Sequence, residues 1–235
     1  MSPGAQGSTQ RDERTLDVGA AGRVSALLLT PVAPQALLVL GHGAGAGMEH
    51  PFMDAISERL AARAVATLRY QFPYMERGEH RTDPPSVAVA TVHAAATEGL
   101  RLLPGVPAFA GGKSFGGRMT STAGAQGALA GVQGLIFLGF PLHSAGRPSV
   151  ERAAHLEHVE IPMLFLQGTR DALCDLELLG QVLRKLGKRA TLRLWDGADH
   201  SFHVPKRSGR TDEQVLAEIA ESIAGWCTAF AGSRG

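Results

Sequence analysis

Cysteine, excess charge and long apolar runs are all scarce in this sequence. Cys174 and Cys227 are its only cysteines, and their spacing matches no metal-binding or disulfide framework. The 23 Lys and Arg residues against 22 Asp and Glu residues leave a formal net charge of +1, which gives no strong field for nucleic acid. No apolar run approaches the roughly 20 residues that span a bilayer. We therefore expect two plain thiols, and neither a nucleic acid nor a membrane as partner.

The beginning of the chain also lacks the features of a targeting signal. Its first residues, MSPGAQGSTQRDERT, contain no apolar segment of the kind that a secretory signal requires, so the expected location is cytoplasmic. Residues 1–12 have no apolar periodicity, which predicts a flexible tail. The remaining residues, 13–235, are enough for one core and few for two, and they predict a single domain.

Short apolar runs alternate with amphipathic segments along the rest of the chain. The predicted strands are RVSALLLTP, QALLVLGHG, VATLRYQF, VPAFAGG, VQGLIFLGF, PMLFLQG and ATLRLW. The predicted helices are PFMDAISERLAARA, PPSVAVATVHAAATEGLRLL, SFGGRMTSTAGAQ, DLELLGQVLRKLG and DEQVLAEIAESIAGWCTAF. Strands that are apolar throughout predict a mostly parallel, twisted sheet covered on both faces, a three-layer α/β/α sandwich. Ligand sites of such sheets lie at the carboxyl ends of the strands.

The stretch AGGKSFGG contains two catalytic signatures that exclude each other. Its GKS could end a phosphate-binding loop, but that loop needs a glycine where this chain has Pro107, and proline donates no N–H. The alternative is Gly-x-Ser-x-Gly, formed by Gly112, Ser114 and Gly116, with a strand before it and a helix after it. This context is that of a nucleophile elbow, although a simple glycine-rich turn stays possible until partners for the serine are found.

A serine nucleophile needs a histidine base and an acid that orients the base. With a nucleophile elbow, the acid and then the histidine come after the serine along the chain, and each lies in a loop after a later strand. Asp171 lies in the turn after PMLFLQG, and His200 lies in the turn after ATLRLW. We therefore predict that Ser114, Asp171 and His200 form a catalytic triad.

Other residues compete for the acid and base roles. Asp175 is better placed as the N-cap of the helix that follows it. Asp196 and Asp199 lie on the same loop as His200 rather than on a separate strand end, and His203 lies further from its strand. We keep Asp171 and His200 as the predicted pair.

An oxyanion formed at the serine needs two N–H donors, one after the nucleophile and one from the loop after an earlier strand. Phe115 and Ala44 are the candidates. The loop of Ala44, GHGAGA, also matches the degenerate dinucleotide fingerprint G-x-G-x-x-A, but the next strand ends without the expected carboxylate. We therefore predict an oxyanion hole and no cofactor.

Four motifs together, GHGAGAGMEHPFM, LRYQFPYMERG, GGKSFGGRM and GADHSF, resemble those of the α/β-hydrolase family, from about residue 14 to 230. More narrowly, they are similar to a dienelactone-hydrolase-related group that includes testis-expressed protein 30 and the third subunit of the nonspecific-lethal complex. This resemblance implies a hydrolase core without a large cap domain, with the triad at Ser114, Asp171 and His200. Ser114 departs from the cysteine of true dienelactone hydrolases, which puts their substrate in doubt.

Several polar residues near these motifs have open roles. Tyr74 and Arg77 follow a strand end and are candidates for substrate binding, or else belong to a capping turn. Lys113 and Arg118 flank the elbow, where they are candidates for favouring an anionic substrate, although solvated or ion-paired surface roles are expected. His42 is expected to brace its loop rather than to act as a base.

The function predicted from these residues is that of a serine hydrolase, a carboxylesterase for small or exposed esters. Its partner would be a small-molecule ester or a related acyl substrate, and the sequence leaves the oligomeric state open. No metal is expected, because His155 and His158 have no third ligand near them in the sequence. The alternative from another class is a non-catalytic, partner-binding module that keeps the fold.

Overall fold

The computed structural model describes residues 9–231. Its strands are β1 (Gln10–Asp17), β2 (Arg23–Thr30), β3 (Ala36–Gly41), β4 (Val65–Tyr70), β5 (Ala108–Lys113), β6 (Val132–Leu138), β7 (Met163–Gly168) and β8 (Ala190–Trp195). Its α-helices are α1 (Pro51–Ala61), α2 (Pro73–Glu76), α3 (Pro85–Leu102), α4 (Phe115–Ala125), α5 (Leu176–Leu186) and α6 (Asp212–Ala231). Every strand and helix predicted from the sequence is present.

All eight strands form one sheet in the order β1-β2-β4-β3-β5-β6-β7-β8. β1 pairs with β2, and β2 with β4, in antiparallel fashion. The remaining neighbours, from β4 through β3 to β8, are parallel. The predicted mostly parallel sheet is therefore confirmed, and six strands direct their carboxyl ends to the same edge.

Helices cover both faces of this sheet. Side chains alternate along each strand, so Leu37 and Val39 of β3 join one core cluster, whereas Leu38 and Leu40 join the other. The first cluster packs against α3, α4 and α5, and the second packs against α1 and α6. This arrangement confirms the three-layer α/β/α sandwich.

Two features differ from the sequence-based prediction or were absent from it. The predicted tail of residues 1–12 is too long, because Gln10 to Asp12 already belong to β1; residues 1–8 lie outside the described part of the chain. β1 has no apolar run because it is an edge strand with most side chains exposed, and its backbone bonds to β2 hold it in place. The short helix α2 was also not predicted.

No large cap domain covers the carboxyl edge in the described residues. Between β6 and β7 the chain forms loops and one short 3-10 helix, Glu151–His158. Among residues 9–231, no helix combines the length and the apolar composition needed to cross a membrane.

Candidate active site

Ser114 occupies a strained turn between β5 and α4. Its φ is +51° and its ψ is −110°, a conformation that L-residues seldom adopt. Glycines make the turn possible: a Cβ on Gly112 would lie 2.5 Å from the carbonyl oxygen of Gly41, and a Cβ on Gly116 would collide with the same oxygen. The motif is thus an elbow that presents a serine, and Pro107 at the start of the stretch leaves no phosphate cradle.

His200 and Asp171 reach Ser114 from the ends of two other strands. The Nε2 atom of His200 lies 2.9 Å from the Oγ atom of Ser114, and its Nδ1 atom lies 2.7 Å from Oδ2 of Asp171. The Asp171 side chain is fully buried, and that of His200 is 26% exposed. The three residues predicted from the sequence therefore form one continuous hydrogen-bonded chain, with the serine end open to solvent.

Asp171 is held in its ionised form despite its burial. Burial alone would raise the pKa of this carboxyl group. The hydrogen bond and charge of His200, the N–H of Leu173 and the charge of Lys113 outweigh that effect, so the pKa lies below its usual range. An ionised carboxylate at this position fixes the imidazole with its proton on Nδ1 and leaves Nε2 free to accept one.

The competing residues lie elsewhere. His203 donates its Nδ1 proton to Asp212 on the protein surface. Asp175 caps α5 by accepting the N–H of Leu178, as predicted. Asp199 accepts backbone N–H groups within the loop of His200. None of these side chains contacts Ser114 within residues 9–231.

A second serine–histidine pair, which was not expected, lies between α4 and the 3-10 helix Glu151–His158. His155 Nε2 lies 2.7 Å from Oγ of Ser121. The hydroxyl of Ser121 donates its proton to the carbonyl of Arg118, so it accepts the proton of His155. Burial, with the charges of Arg118 and His158, lowers the pKa of His155 to about 4. Because Ser121 is fully buried and its proton is directed away from the imidazole, this pair is structural.

The two predicted oxyanion donors lie beside the nucleophile. The N–H of Phe115 begins α4, and the N–H of Ala44 follows β3; within residues 9–231 neither donates to a protein acceptor. Tyr74 holds this loop in place, because its hydroxyl donates a 2.9 Å hydrogen bond to the carbonyl of Ala44. The Phe115 ring packs edge-on against Tyr74. Both N–H groups are therefore free to donate to an acceptor beside Ser114, and their role as oxyanion donors stays a prediction.

His42 braces the loop after β3, as predicted. It is fully buried, its Nδ1 donates to the carbonyl of Gly43, and its Nε2 accepts the N–H of Phe72. Burial lowers its pKa to about 4, so it stays neutral. The dinucleotide alternative fails at this loop, because α1 begins only at Pro51, whereas the fingerprint must open directly into its helix.

A cleft of about 410 Å³ opens at Ser114. It is lined by Gly43, Ala44, Gly45, Ala46, His50, Phe52, Met53, Lys113, Ser114, His200 and Ser201. The sequence analysis missed His50, Phe52 and Met53. The sequence could have predicted them, because α1 is the first helix after β3 and its first turn must lie at the same sheet edge.

The two predicted substrate contacts are not brought to this cleft. Tyr74 is buried and bonds to Ala44, and Arg77 pairs with Glu79 and Asp83 on the surface. The structure therefore favours the alternative, a capping turn. The physical reason is that α2 turns the chain away from the strand end and Asp83 accepts the N–H of Tyr74.

The surface role expected for Lys113 is wrong. Its side chain extends into the site, lines the cleft and donates a 2.6 Å hydrogen bond from Nζ to the carbonyl oxygen of His200. The cause is its place as the last residue of β5, next to the loop that carries the base. Arg118 is half-buried, and within the described residues it forms no ion pair.

The remaining candidates carry no further chemistry. Cys174 and Cys227 are buried free thiols, and burial raises the pKa of each to about 12, as expected of unreactive cysteines. Within residues 9–231, no group of three or more His, Cys, Asp or Glu side chains is arranged to hold a metal ion.

Comparisons with known proteins agree with this fold. The family model described as an alpha/beta hydrolase domain matches residues 34–228. A dienelactone hydrolase from Anabaena variabilis superposes with a TM-score of 0.73 at 20% identity, covering 94% of this chain and 98% of that one. An esterase domain from Rhodothermus marinus superposes with a TM-score of 0.72 at 18% identity, covering 94% of this chain and 99% of that one. A serine hydrolase without a lid from Xanthomonas campestris superposes with a TM-score of 0.71 at 20% identity, covering 93% of this chain and 96% of that one. At these identities the structural likeness shows the fold alone.

Proposed function

The chain belongs to the α/β-hydrolase family, and we propose that within this family it is a serine hydrolase that acts by acyl transfer. The observation that carries the proposal is the hydrogen-bonded chain from Ser114 through His200 to Asp171. A partner-binding module would have no physical need for a nucleophile, a base and an acid in this order and geometry.

In the first half of the reaction Ser114 Oγ attacks the carbonyl carbon of the substrate. His200 Nε2 accepts the hydroxyl proton as the C–O bond forms, and the ionised Asp171 stabilises the imidazolium through Nδ1. The negative charge on the former carbonyl oxygen is held by the N–H groups of Phe115 and Ala44. When the tetrahedral intermediate collapses, His200 returns the proton to the leaving alcohol.

In the second half a water molecule releases the acyl group. His200 removes a proton from the water, whose oxygen attacks the carbonyl carbon of the acyl group on Ser114, and the same two N–H groups hold the second oxyanion. His200 then protonates Ser114 Oγ, and the free acid leaves. Water reaches the acyl-enzyme directly, since no large domain among residues 9–231 covers the cleft.

The substrate we propose is a small or exposed carboxylic ester. A cleft of about 410 Å³ lies near the lower end of the usual range for small-molecule sites. The Phe52 and Met53 side chains give it apolar walls that suit a short acyl or alcohol group. The narrower resemblance, to the group that includes testis-expressed protein 30, stays a prediction.

The direct test is labelling with a fluorophosphonate probe, which reacts only with an activated serine. We expect labelling of the wild-type protein, and none of Ser114→Ala. The matched control is Ser201→Ala, a serine that lines the same cleft. Labelling that survives Ser114→Ala would contradict the role of Ser114. No labelling of the wild type would contradict the proposal and favour a partner-binding module. A series of 4-nitrophenyl esters of rising acyl length then tests the substrate class, with the highest kcat/KM expected for short chains.

A further inference from the structure

Lys113 connects the strand that carries the nucleophile to the loop that carries the base. It directly precedes Ser114, and its Nζ atom donates to the carbonyl oxygen of His200 at 2.6 Å. The contact with Ser114 is made by the imidazole of the same His200. The backbone of His200 is thus bonded to Lys113, and its side chain is bonded to the next residue, Ser114.

The ammonium group of Lys113 is enclosed on several sides. Nζ lies 5.9 Å from the ring centroid of Phe52 and 5.6 Å from that of Phe202, both within cation–π range. A Cβ on Gly139 would lie 3.0 Å from Nζ, so the backbone directly after β6 also approaches it closely. A cation partly removed from water in this way costs free energy unless a partner compensates for it.

No direct carboxylate partner compensates for this charge in residues 9–231. The groups that face Nζ are His200, through its carbonyl, and Asp171 and Asp199, which act through their charges alone. A buried methionine would fill the same space without a desolvation cost. Position 113 therefore carries an ammonium group whose desolvation costs free energy. Its one hydrogen bond is to the loop of the predicted base.

We propose that Lys113 is a positioning residue for the reaction: its hydrogen bond to the His200 carbonyl holds the imidazole within reach of Ser114. This inference rests on the proposed function. The loop from β8 to His200 has no regular secondary structure of its own, so a tether to β5 restricts the distance between Nε2 and Oγ. Misplacement of a catalytic group by about 1 Å can reduce a rate by about a hundredfold.

The tether also gives the reaction an upper pH limit. Burial lowers the pKa of Lys113 to about 8, against the opposing charges of Asp171 and Asp199. As the pH rises through this value the ammonium becomes a neutral amine, which donates a weaker hydrogen bond because charge assistance is lost. The wild-type kcat should therefore decrease above about pH 8.

The test compares Lys113→Met, Lys113→Arg and a matched control, Arg118→Met. Arg118 is another cation close to the elbow and has no contact with His200 in the described residues. For each variant, kcat and KM on one short 4-nitrophenyl ester are measured from pH 6 to 9.5, together with the rate of fluorophosphonate labelling and the melting temperature.

We expect Lys113→Met to reduce kcat and the labelling rate by about tenfold or more, with KM and the melting temperature little changed. Lys113→Arg should recover part of kcat and lose the decrease above pH 8, because arginine stays charged. Arg118→Met should stay within about twofold of the wild type.

Three results would overturn the inference while the proposed function stands: an unchanged kcat in Lys113→Met, a change in KM alone, or a loss of kcat that only follows a loss of folding. Failure of the wild type to label would instead contradict the proposed function, and this inference with it.

Discussion

Gln167 donates a 2.5 Å hydrogen bond from Nε2 to Oδ2 of Asp171, the same oxygen that faces His200. The orientation of this amide is fixed, because its Oε1 atom accepts the N–H of Phe140 at 3.0 Å. Gln167 is fully buried in β7. The carboxylate is therefore held in line with the imidazole by a side chain that touches neither the nucleophile nor the cleft.

Replacement of Gln167 by methionine, which has a similar shape, should weaken the orientation of Asp171. We expect kcat to decrease by about tenfold, as is usual when a supporting hydrogen bond behind a site is lost. The buried N–H of Phe140 would also lose its acceptor, at a cost of about 1–3 kcal/mol in the free energy of unfolding. Ester turnover and urea unfolding measure the two effects. The exposed Gln126→Met serves as control, and equal kcat values for both variants would contradict this role.

Removal of the Tyr74 hydroxyl should reduce activity although Tyr74 does not line the cleft. In Tyr74→Phe the carbonyl of Ala44 loses its 2.9 Å hydrogen bond, so the peptide that presents an oxyanion donor becomes less constrained. We expect kcat to decrease several-fold with KM unchanged, and stability to decrease by about 1 kcal/mol. Steady-state kinetics and thermal unfolding measure these changes. An increase in KM alone would instead indicate that Tyr74 binds the substrate.

For the Ser121–His155 pair we predict that substitution leaves the activity unchanged. Ser121→Ala should retain fluorophosphonate labelling and ester turnover close to the wild type, because both hydrogen bonds of the hydroxyl, to the Arg118 carbonyl and to His155, lie inside the fold. Its loss should cost about 1 kcal/mol of stability. Complete loss of labelling in a folded Ser121→Ala protein would show that this second pair contributes to the chemistry.

Acid should destabilise the fold through His42. Its pKa is about 4 in the folded protein, against 6.5 for an ordinary histidine. Between these values the unfolded chain binds a proton that the folded protein excludes, so stability is full above pH 6.5 and falls as the pH falls towards 4. His42 should contribute about 3 kcal/mol at most to this decrease. Urea unfolding at several pH values measures it, and His42→Gln should have a shallower decrease than the wild type.

The sheet could be predicted from the sequence because its central strands are mostly apolar runs, and β3 and β7 end in glycine. β1 could not, since its place depends on backbone bonds to β2 rather than on apolar side chains. Local patterns identify buried strands, whereas an exposed edge strand has only its pairing to identify it.

For the candidate site, the order of Ser114, Asp171 and His200 along the chain was enough to select residues that the fold brings together. The roles of Lys113 and Gln167 could not be predicted in this way. Both lie at or near the carboxyl end of a strand, and their roles depend on which neighbouring loop each side chain reaches. That choice follows from the packing of β5 and β7 against the loops after them, which no local spacing encodes.

The absence of a large cap in the described residues has a kinetic consequence. Enzymes with a closing domain often spend most of the catalytic cycle opening it to release product. At the cleft of Ser114 no such movement precedes release, so chemistry rather than conformational change should limit turnover. Added glycerol or sucrose should then leave kcat almost unaffected at equal water activity. The same openness leaves few contacts with the part of a substrate outside the cleft, and discrimination among large alcohols should accordingly be weak.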